Sequence, residues 1–282
     1  MNISFITYSG EPHISSDDLP LAQEFARRRI LSIAHPWDLA ADERRETDAY
    51  LMRSAWNYDS DPDAFLLWVD RIVDGGKQLI NSRSVIRWNI SKDYLFQAEI
   101  AGFEIPKTRK FIPGTSSPGS IAKNFASDDL VVVKPCISLS AHSTFLLKKA
   151  ELQEKIAQLP NTHKAYLLQE YLPEITTGEL SFVFFDGHYS HCIIKVPKQG
   201  DFRVQGDHGA TRNLYTPSSE QIEMAATFLQ LVPEVPTYAR IDVVMRSARM
   251  VLMEIEVIDP MLFLGWEPAA AARFADAILR KL

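Results

Sequence analysis

The 282-residue chain is 46% hydrophobic and 23% charged, a balance suited to a soluble globular protein with two or three packed subdomains. Its net charge of −6 excludes the basic footprint of a general nucleic-acid binder, and no apolar run reaches the length of a membrane span. The two cysteines, Cys136 and Cys192, sit far apart in apolar, strand-like sequence and read as buried free thiols rather than a disulfide or a metal site.

The N-terminus opens directly into the strand-like ISFIT, without a basic segment followed by a long apolar one, so a cytoplasmic protein is expected. Tyr8-Ser9-Gly10 turns out of that strand. A helix is predicted over residues 17–30, with Asp17 and Asp18 at its positive end and Arg27-Arg28-Arg29 at its negative end. Asp61 and Pro62 start a second helix with Phe65, Trp68, Val69, Ile72 and Val73 as its apolar face, and Gly75 and Gly76 end it. Just before it, Arg53-Ser54-Ala55-Trp56-Asn57-Tyr58 sits where strand ends meet helix starts, the usual place for ligand loops. Core packing accounts for Trp56 and Tyr58 equally well. The alternation of strands and helices over roughly the first eighty residues predicts a small α/β domain.

Asn89-Ile90-Ser91-Lys92 opens a helix expected to reach Ala101, stopped by Gly102 and followed by the strand FEIPKTRKF. A lysine in a first turn lies beside the positive end of the helix dipole, a conflict that a bound anion would resolve. PGTSSPGS, residues 113–120, is a turn-rich joint and the expected start of a mobile lid. Leu130 to Pro135 form a strongly apolar strand ending in Lys134, and a lysine emerging there needs a partner. The small-residue loop from Ser138 through Ser140 and His142 to Thr144 offers backbone N–H groups and hydroxyls to phosphate oxygens. After a helix near residues 151–159 and the strand YLLQEYL, an apparent hairpin turns over Asp186-Gly187 and closes at Lys195. The loop PKQGDFRVQGDHGATRN carries Lys198, Arg203, His208 and Arg212 among three glycines, which suits closure over an anion or a solvated basic loop. Ser218 and Gln221 form the capping box of a helix reaching Leu231, and EPAAAARFADAILRKL is a final amphipathic helix.

Tyr238 to Asp259 organises the rest. It reads as two strands joined around Ser247, Ala248 and Arg249. Alternation puts Ile241, Val243 and Met245 on one face of the first strand and Arg240 and Asp242 on the other. On the second, Val251, Met253, Ile255 and Val257 are expected opposite Glu254 and Glu256. A register centred on Ala248 sets Asp242 across from Glu254 and Arg240 across from Glu256, so three carboxylates converge. Such a cluster needs a counter-charge, and an all-oxygen set without His or Cys points to magnesium or manganese. A solvated sheet face, with the glutamates paired to Arg240 or Arg249, is the plainer reading of the same residues.

Taken in order, these motifs resemble the glutathione-synthetase-like branch of the ATP-grasp superfamily over residues 81–259. The resemblance implies an α/β fold in which two subdomains clasp ATP. Its parts would be an N-terminal substrate-side domain (1–85), a linking segment (86–112), a lid (113–172) and a C-terminal subdomain with the metal site (173–282). SKDYLF and VVVKP are similar to the two nucleotide-binding lysine motifs, which implies phosphate contacts for Lys92 and phosphate and adenine contacts for Lys134. Ser140 falls in the phosphate-covering loop, which here has no glycine. QEYLPEITTGE is similar to the adenine and ribose hinge, implicating Gln169, Glu170, Leu172 and Glu179. Lys195 and Arg203 match basic positions on the transferred phosphate, and Arg240 matches the arginine beside the tetrahedral centre. Asp242, Glu254 and Glu256 match the metal ligands, the last being Asn in many members.

RSAWNYDSDPDAFLLW, VIRWNISKDYL and GDFRVQGDHG resemble ring-closing members of that branch that turn O-ureido-serine into cycloserine. On loop position and resemblance, Arg53, Trp56, Asn57, Arg203, His208 and Gly209 are the expected substrate contacts. The implied activity is an ATP- and Mg2+-dependent carboxylate–amine ligase, Mn2+ being the alternative ion, acting on a small amino-acid-like substrate in specialised metabolism. An acyl phosphate forms first. The amine then comes from the same molecule, closing a ring, or from a second one. No nucleic-acid or membrane partner is expected, and a homodimer is compatible with the sequence. Two other classes fit parts of the chain: a nucleotide binder without turnover, favoured by the glycine-free loop, and a metal-independent hydrolase using Glu254 and Glu256 as an acid–base pair. Nothing else in the sequence builds a sugar or ester site for the latter.

Overall fold

The computed structural model describes residues 1–39, 47–115, 117–123, 125–126, 129–139, 143–160, 164–204 and 209–282. Ser140 and His208 lie outside them. Three sheets result, the first and third sharing an apolar core and the second having its own. No helix among the described residues is long and apolar enough to cross a membrane.

The first sheet is parallel, in the order β2-β1-β3-β4, from β1 (Asn2–Thr7), β2 (Leu31–Pro36), β3 (Ala49–Met52) and β4 (Gln78–Ile80). Parallel strands are covered on both faces, which is why β1 carries no exposed side chain. Ile3 and Phe5 pack on Leu21 and Phe25 of helix α1 (Leu19–Arg27) and on Phe274 of helix α8 (Ala270–Leu279). Ile6 and Met52 pack on Phe65, Trp68 and Val69 of α2 (Pro62–Asp74), whose N-cap Asp61 accepts the Ala64 N–H at 3.1 Å. Helix α1 is shorter than residues 17–30 because its acidic entry serves elsewhere. Asp18 turns its carboxylate to Arg53, and Asp17 accepts the N–H groups of Leu262 and Leu264.

The helix expected from Asn89 starts later, as α4 (Tyr94–Ile100); Asn89 instead ends a preceding helix, α3 (Arg83–Asn89), capped by Ser82, and Lys92 lies in the joint. The second sheet runs β5-β8-β6-β7, from β5 (Thr108–Phe111), β6 (Leu130–Pro135), β7 (Phe145–Lys148) and β8 (Tyr166–Glu170), all antiparallel. Helices α5 (Pro118–Ile121) and α6 (Leu152–Gln158) accompany it, and Ile156 and Leu152 fill its core with Val131, Val133 and Leu168. This sheet starts at β5, upstream of the turn-rich segment at 113–120.

The third sheet, β11-β10-β9-β12-β13, is antiparallel and comprises β9 (Glu179–Phe185), β10 (His188–Val196), β11 (Thr211–Tyr215), β12 (Tyr238–Arg246) and β13 (Arg249–Glu256). Phe182, Phe184, Ile241, Val243, Leu252 and Ile255 form one face, packed with Ala225 of α7 (Ser219–Thr227) and Leu95 of α4. The outer edge of β13 is not left open. Asn89 accepts the Val257 N–H and donates to the Ile255 carbonyl, Tyr94 Oη accepts the Ile255 N–H, and the Glu104 carbonyl accepts the Leu252 N–H. Asn81 joins the first sheet to the third, donating to the carbonyls of Tyr238 and Val257 at 2.9 Å and accepting the Thr237 N–H at 2.6 Å.

One expectation about the hairpin needs correction. The strands turn on two residues, with Arg246 opposite Arg249 and Val243 opposite Leu252, so uninterrupted pairing would set Asp242 against Met253. A bulge at Met253 shifts the register, and Asp242 faces Glu254 and Arg240 faces Glu256. The expected apolar face of Val251, Met253, Ile255 and Val257 is therefore split. Leu252, Ile255 and Val257 enter the main core, while Val251 and Met253 join Val244 on the face that carries the carboxylates.

Candidate active site

A cavity of about 840 Å³ lies between the second and third sheets and is closed at one end by loops of the first. Lys92, Lys134, Gln169, Glu170, Leu172, Glu179, Lys195, Arg203, Arg240, Glu254 and Glu256 all line it, as does Trp56. Carboxylate oxygens of Asp242, Glu254 and Glu256 lie within 4.8 Å of one another; the two glutamates line the cavity and Asp242 is buried beside them.

Each carboxylate has a cation. Asp242 accepts Ser181 Oγ at 2.6 Å, Lys195 Nζ at 3.1 Å, and Arg240 Nε at 3.0 Å and Nη2 at 2.9 Å. Arg240 also pairs with Glu256 and donates to the Met261 carbonyl at 3.0 Å. Lys195 reaches Glu179 at 2.5 Å, and Lys92 reaches Glu254 at 3.0 Å while donating to the Ser138 carbonyl at 2.9 Å. With Lys134, these four cations match Glu179, Asp242, Glu254 and Glu256 charge for charge, as burial of so many ionised groups requires. The plainer reading of the hairpin holds for the pairing of Glu256 with Arg240 and for the part-exposed glutamates, but not for Asp242, which is 2% exposed.

Burial works to raise the Asp242 carboxyl, but Arg240 and Lys195 outweigh it and hold it below the usual carboxylate range. Glu254 is likewise lowered, burial being outweighed by Lys92 and Lys134. Glu256 goes the other way: burial lifts it to about 7 against the pull of Arg240. Burial brings Lys134 down to about 8, against the nearby Glu254.

Lys92 precedes α4 rather than occupying its first turn, and the Glu254 carboxylate answers the conflict with the helix dipole. Arg203 faces the cavity with its guanidinium on Asp201 at 2.8 Å. Glu170 spends its N–H on the Lys107 carbonyl and its carboxylate on Arg246. Gly178, at φ 125°, turns the chain into Glu179, and a Cβ there would lie 2.7 Å from the Ile194 side chain. Three expected substrate contacts, Arg53, Asn57 and Gly209, stand apart from the cavity. Arg53 is 1% exposed and ties Asp18 at 2.7 Å to the Pro260 carbonyl at 2.8 Å, a link between the first sheet and the chain after β13. Asn57 accepts Trp37 Nε1 at 2.6 Å and donates to Asp38 at 2.7 Å. Gly209 is in left-handed conformation beside Lys198 and is not among the lining residues.

Asp259, Met261 and Phe263, just past β13, also line the cavity, and sequence reasoning assigned them no role. The one legible signal was Asp259-Pro260, separated from the EIE strand by only Val257 and Ile258.

These features meet their counterparts in known proteins. Residues 105–265 match the ATP-grasp domain of prokaryotic glutathione synthetase, and residues 3–81 match the N-terminal domain of D-cycloserine synthetase DcsG. The chain belongs to the prokaryotic glutathione synthetase ATP-grasp family, whose members use ATP and a divalent metal, and it is an ADP-forming C–N ligase. It is similar to the cycloserine biosynthesis protein DcsG of Streptomyces lavendulae, with 24% identity over 300 residues covering 99% of this chain and 98% of that protein. The crystal structure of D-cycloserine synthetase DcsG shares the fold with a TM-score of 0.87 at 23% identity, covering 100% of this chain and 99% of that one. The RimK domain ATP-grasp protein of Sphaerobacter thermophilus follows at 0.73 and 16% identity, covering 99% and 100%. D-alanine–D-alanine ligase of Bacillus anthracis has a TM-score of 0.70 at 14% identity, covering 99% and 96%.

Proposed function

We propose that this ligase is a cyclo-ligase of specialised metabolism. It phosphorylates the carboxylate of an amino-acid-like substrate and lets a nitrogen of the same molecule attack the acyl phosphate. The observation that carries the chemistry is the convergence of Asp242, Glu254 and Glu256 with Arg240 and three lysines at one cavity. Ring closure is supported by the likeness of residues 3–81 to the N-terminal domain of a cycloserine synthetase.

Hydroxide is a poor leaving group, so the carboxylate must first become an acyl phosphate. The three clustered carboxylates offer only oxygen donors, which fit a hard divalent ion, magnesium before manganese. Bound there, such an ion would neutralise phosphate charge as a Lewis acid. Lys92 and Lys195 each have three N–H donors, so they keep their carboxylates while offering the remainder to phosphate oxygens. Lys134, at the end of β6, adds a third ammonium from the lid side. Leu172, Ile175, Val132 and Met253 supply the apolar walls an adenine ring requires. Arg240, fixed by Asp242, Glu256 and the Met261 carbonyl, is oriented to stabilise the oxyanion of the tetrahedral intermediate. Loss of one such donor typically costs about 10²–10³ in rate. Closure of the second sheet over the cavity would keep water from the acyl phosphate.

The test is mass spectrometry of products after incubation with ATP, magnesium and a pool of amino acids, dipeptides and ureido-amino acids including O-ureido-serine. A product derived from one substrate molecule, with ADP released in step, supports cyclisation. A product built from two substrates less water replaces it with an intermolecular ligase.

A further inference from the structure

We propose that Arg212 and Asp259 form a clamp for a zwitterion, so that the substrate is an amino acid with both its ammonium and its carboxylate unblocked. The proposal rests on the ligase reading and adds to it the groups that select the substrate.

Buried polar side-chain atoms in folded proteins almost always have a hydrogen-bond partner. Among the described residues, seven such atoms have none, and only two belong to residues lining the cavity: Arg212 Nε and Asp259 Oδ2. Ionised, the two side chains carry opposite charges.

Asp259 is 6% exposed. Its backbone carbonyl accepts Trp56 Nε1 at 3.2 Å, but its carboxyl makes no ion pair among the described residues. The charged groups that act on it most strongly among the described residues are Glu256, Arg53, Asp59 and Arg240. Arg53 is committed to Asp18 and the Pro260 carbonyl, and Arg240 to Asp242, Glu256 and the Met261 carbonyl. A buried carboxylate in that position is costly unless a cation arrives from outside the chain.

Arg212, on β11, makes no ion pair among the described residues. Its guanidinium carbon lies 5.7 Å from the centre of the Phe263 ring, and Nη1 makes a weak contact with Met261 Sδ at 3.4 Å. The Arg240 guanidinium approaches the same ring at 5.9 Å. A carboxylate bound beside Phe263 would thus meet Arg212 next to the arginine that serves the reacting centre, and the planar fork of Arg212 suits bidentate recognition of it.

The loop that carries Asp259, Met261 and Phe263 is held rigidly before any ligand binds. Phe263 has φ 54°, Asp17 accepts the N–H groups of Leu262 at 2.6 Å and Leu264 at 3.2 Å, and the Leu262 carbonyl meets His191 Nε2 at 2.8 Å. Preorganisation of this kind belongs to recognition sites, because the ordering entropy is spent in folding rather than in binding.

The experiment compares O-ureido-serine with its N-acetyl derivative on the wild type, Asp259→Asn, Arg212→Gln and Arg212→Lys. It measures binding in the presence of magnesium and a non-hydrolysable ATP analogue, and ADP release with ATP. Charged hydrogen bonds of this class correspond to about 10–100-fold in affinity. The wild type should favour the free amino acid by that factor. Asp259→Asn should weaken binding of the free amino acid by about as much and leave the N-acetyl compound unaffected, so that discrimination collapses. Arg212→Gln should weaken both compounds, with partial rescue by Lys. Stabilisation by magnesium ATP should be unchanged in every variant and reports that each is folded. Equal affinity of the wild type for the two compounds, or failure to bind either, overturns the clamp without any variant. A folded Asp259→Asn that still discriminates overturns it as well. Binding of O-ureido-serine with the expected preference but no ring product leaves the clamp standing and defeats the cyclisation reading instead.

Discussion

Replacing Asp242 by Asn and Glu254 by Gln should separate folding from function in the same carboxylate cluster. Asp242 is 2% exposed and receives hydrogen bonds from Ser181, Lys195 and Arg240. In Asp242→Asn, Lys195 keeps Glu179 and Arg240 keeps Glu256, but the matched cluster acquires one uncompensated buried positive charge. Removing one partner of a buried pair costs about 3–5 kcal/mol, and the retained shape and carbonyl of Asn put this case near 3. That is a large part of the roughly 5–15 kcal/mol by which domains are stable. The Glu254 side chain is 28% exposed but its partner Lys92 is only 10% exposed, so Glu254→Gln leaves a part-buried cation and should cost about 1–3 kcal/mol, less than Asp242→Asn. Activity should not follow stability. Changing a second-shell partner of a metal typically costs about 10–100-fold, so neutralising a direct ligand should lower ADP formation beyond that range in both variants. The assays are coupled ADP release and urea denaturation monitored by tryptophan fluorescence. Full turnover by folded Glu254→Gln would refute the ligand assignment. An unchanged urea midpoint for Asp242→Asn would refute the electrostatic account of the cluster.

Nucleotide affinity should depend on pH through Lys134. Burial disfavours its protonated form and brings the ammonium down to about 8, whereas a neighbouring phosphate favours protonation. Affinity for magnesium ATP should therefore be fully developed below that value and fall as pH rises through it, by up to about tenfold per unit. Lys134→Gln should bind more weakly at pH 7 and lack this step; parallel profiles in calorimetric titrations from pH 7 to 9.5 would show that the lysine does not meet the phosphate. Asn81→Ala should lower the urea midpoint, since it orphans the Thr237 N–H and the carbonyls of Tyr238 and Val257. A loss of about 3 kcal/mol is expected at about 1 kcal/mol or more per group. ADP formation per folded molecule should stay near wild type, and an unchanged midpoint would mean that the first sheet is held by its apolar contacts alone.

How far the site was legible in the sequence depends on the range of each interaction. Strand alternation put Arg240 and Asp242 on one face from sequence alone, because side-chain period is a local property. The order of Lys92, Lys134, Glu179, Lys195 and the EIE strand was enough to suggest a nucleotide site, and all of these residues line one cavity. The facing of Asp242 and Glu254 was reached by the wrong route. A register centred on Ala248 and a two-residue turn followed by a bulge at Met253 place the same residues opposite each other, but bury different ones.

By itself, the sequence determined the elements, the residue types that carry charge, and the face each takes within its own strand, since these follow from backbone geometry and nearest neighbours. Tertiary structure alone decided which charges meet. It took Arg53 out of the substrate pocket by closing Asp18 and the Pro260 carbonyl around it, gave Lys92 to Glu254 and Lys195 to Glu179 and Asp242, and left Asp259 Oδ2 and Arg212 Nε without a hydrogen-bond partner among the described residues. A charged side chain carries no local mark of its future partner. Its role is settled by the cost of burying it, and that cost is incurred only when distant elements pack together.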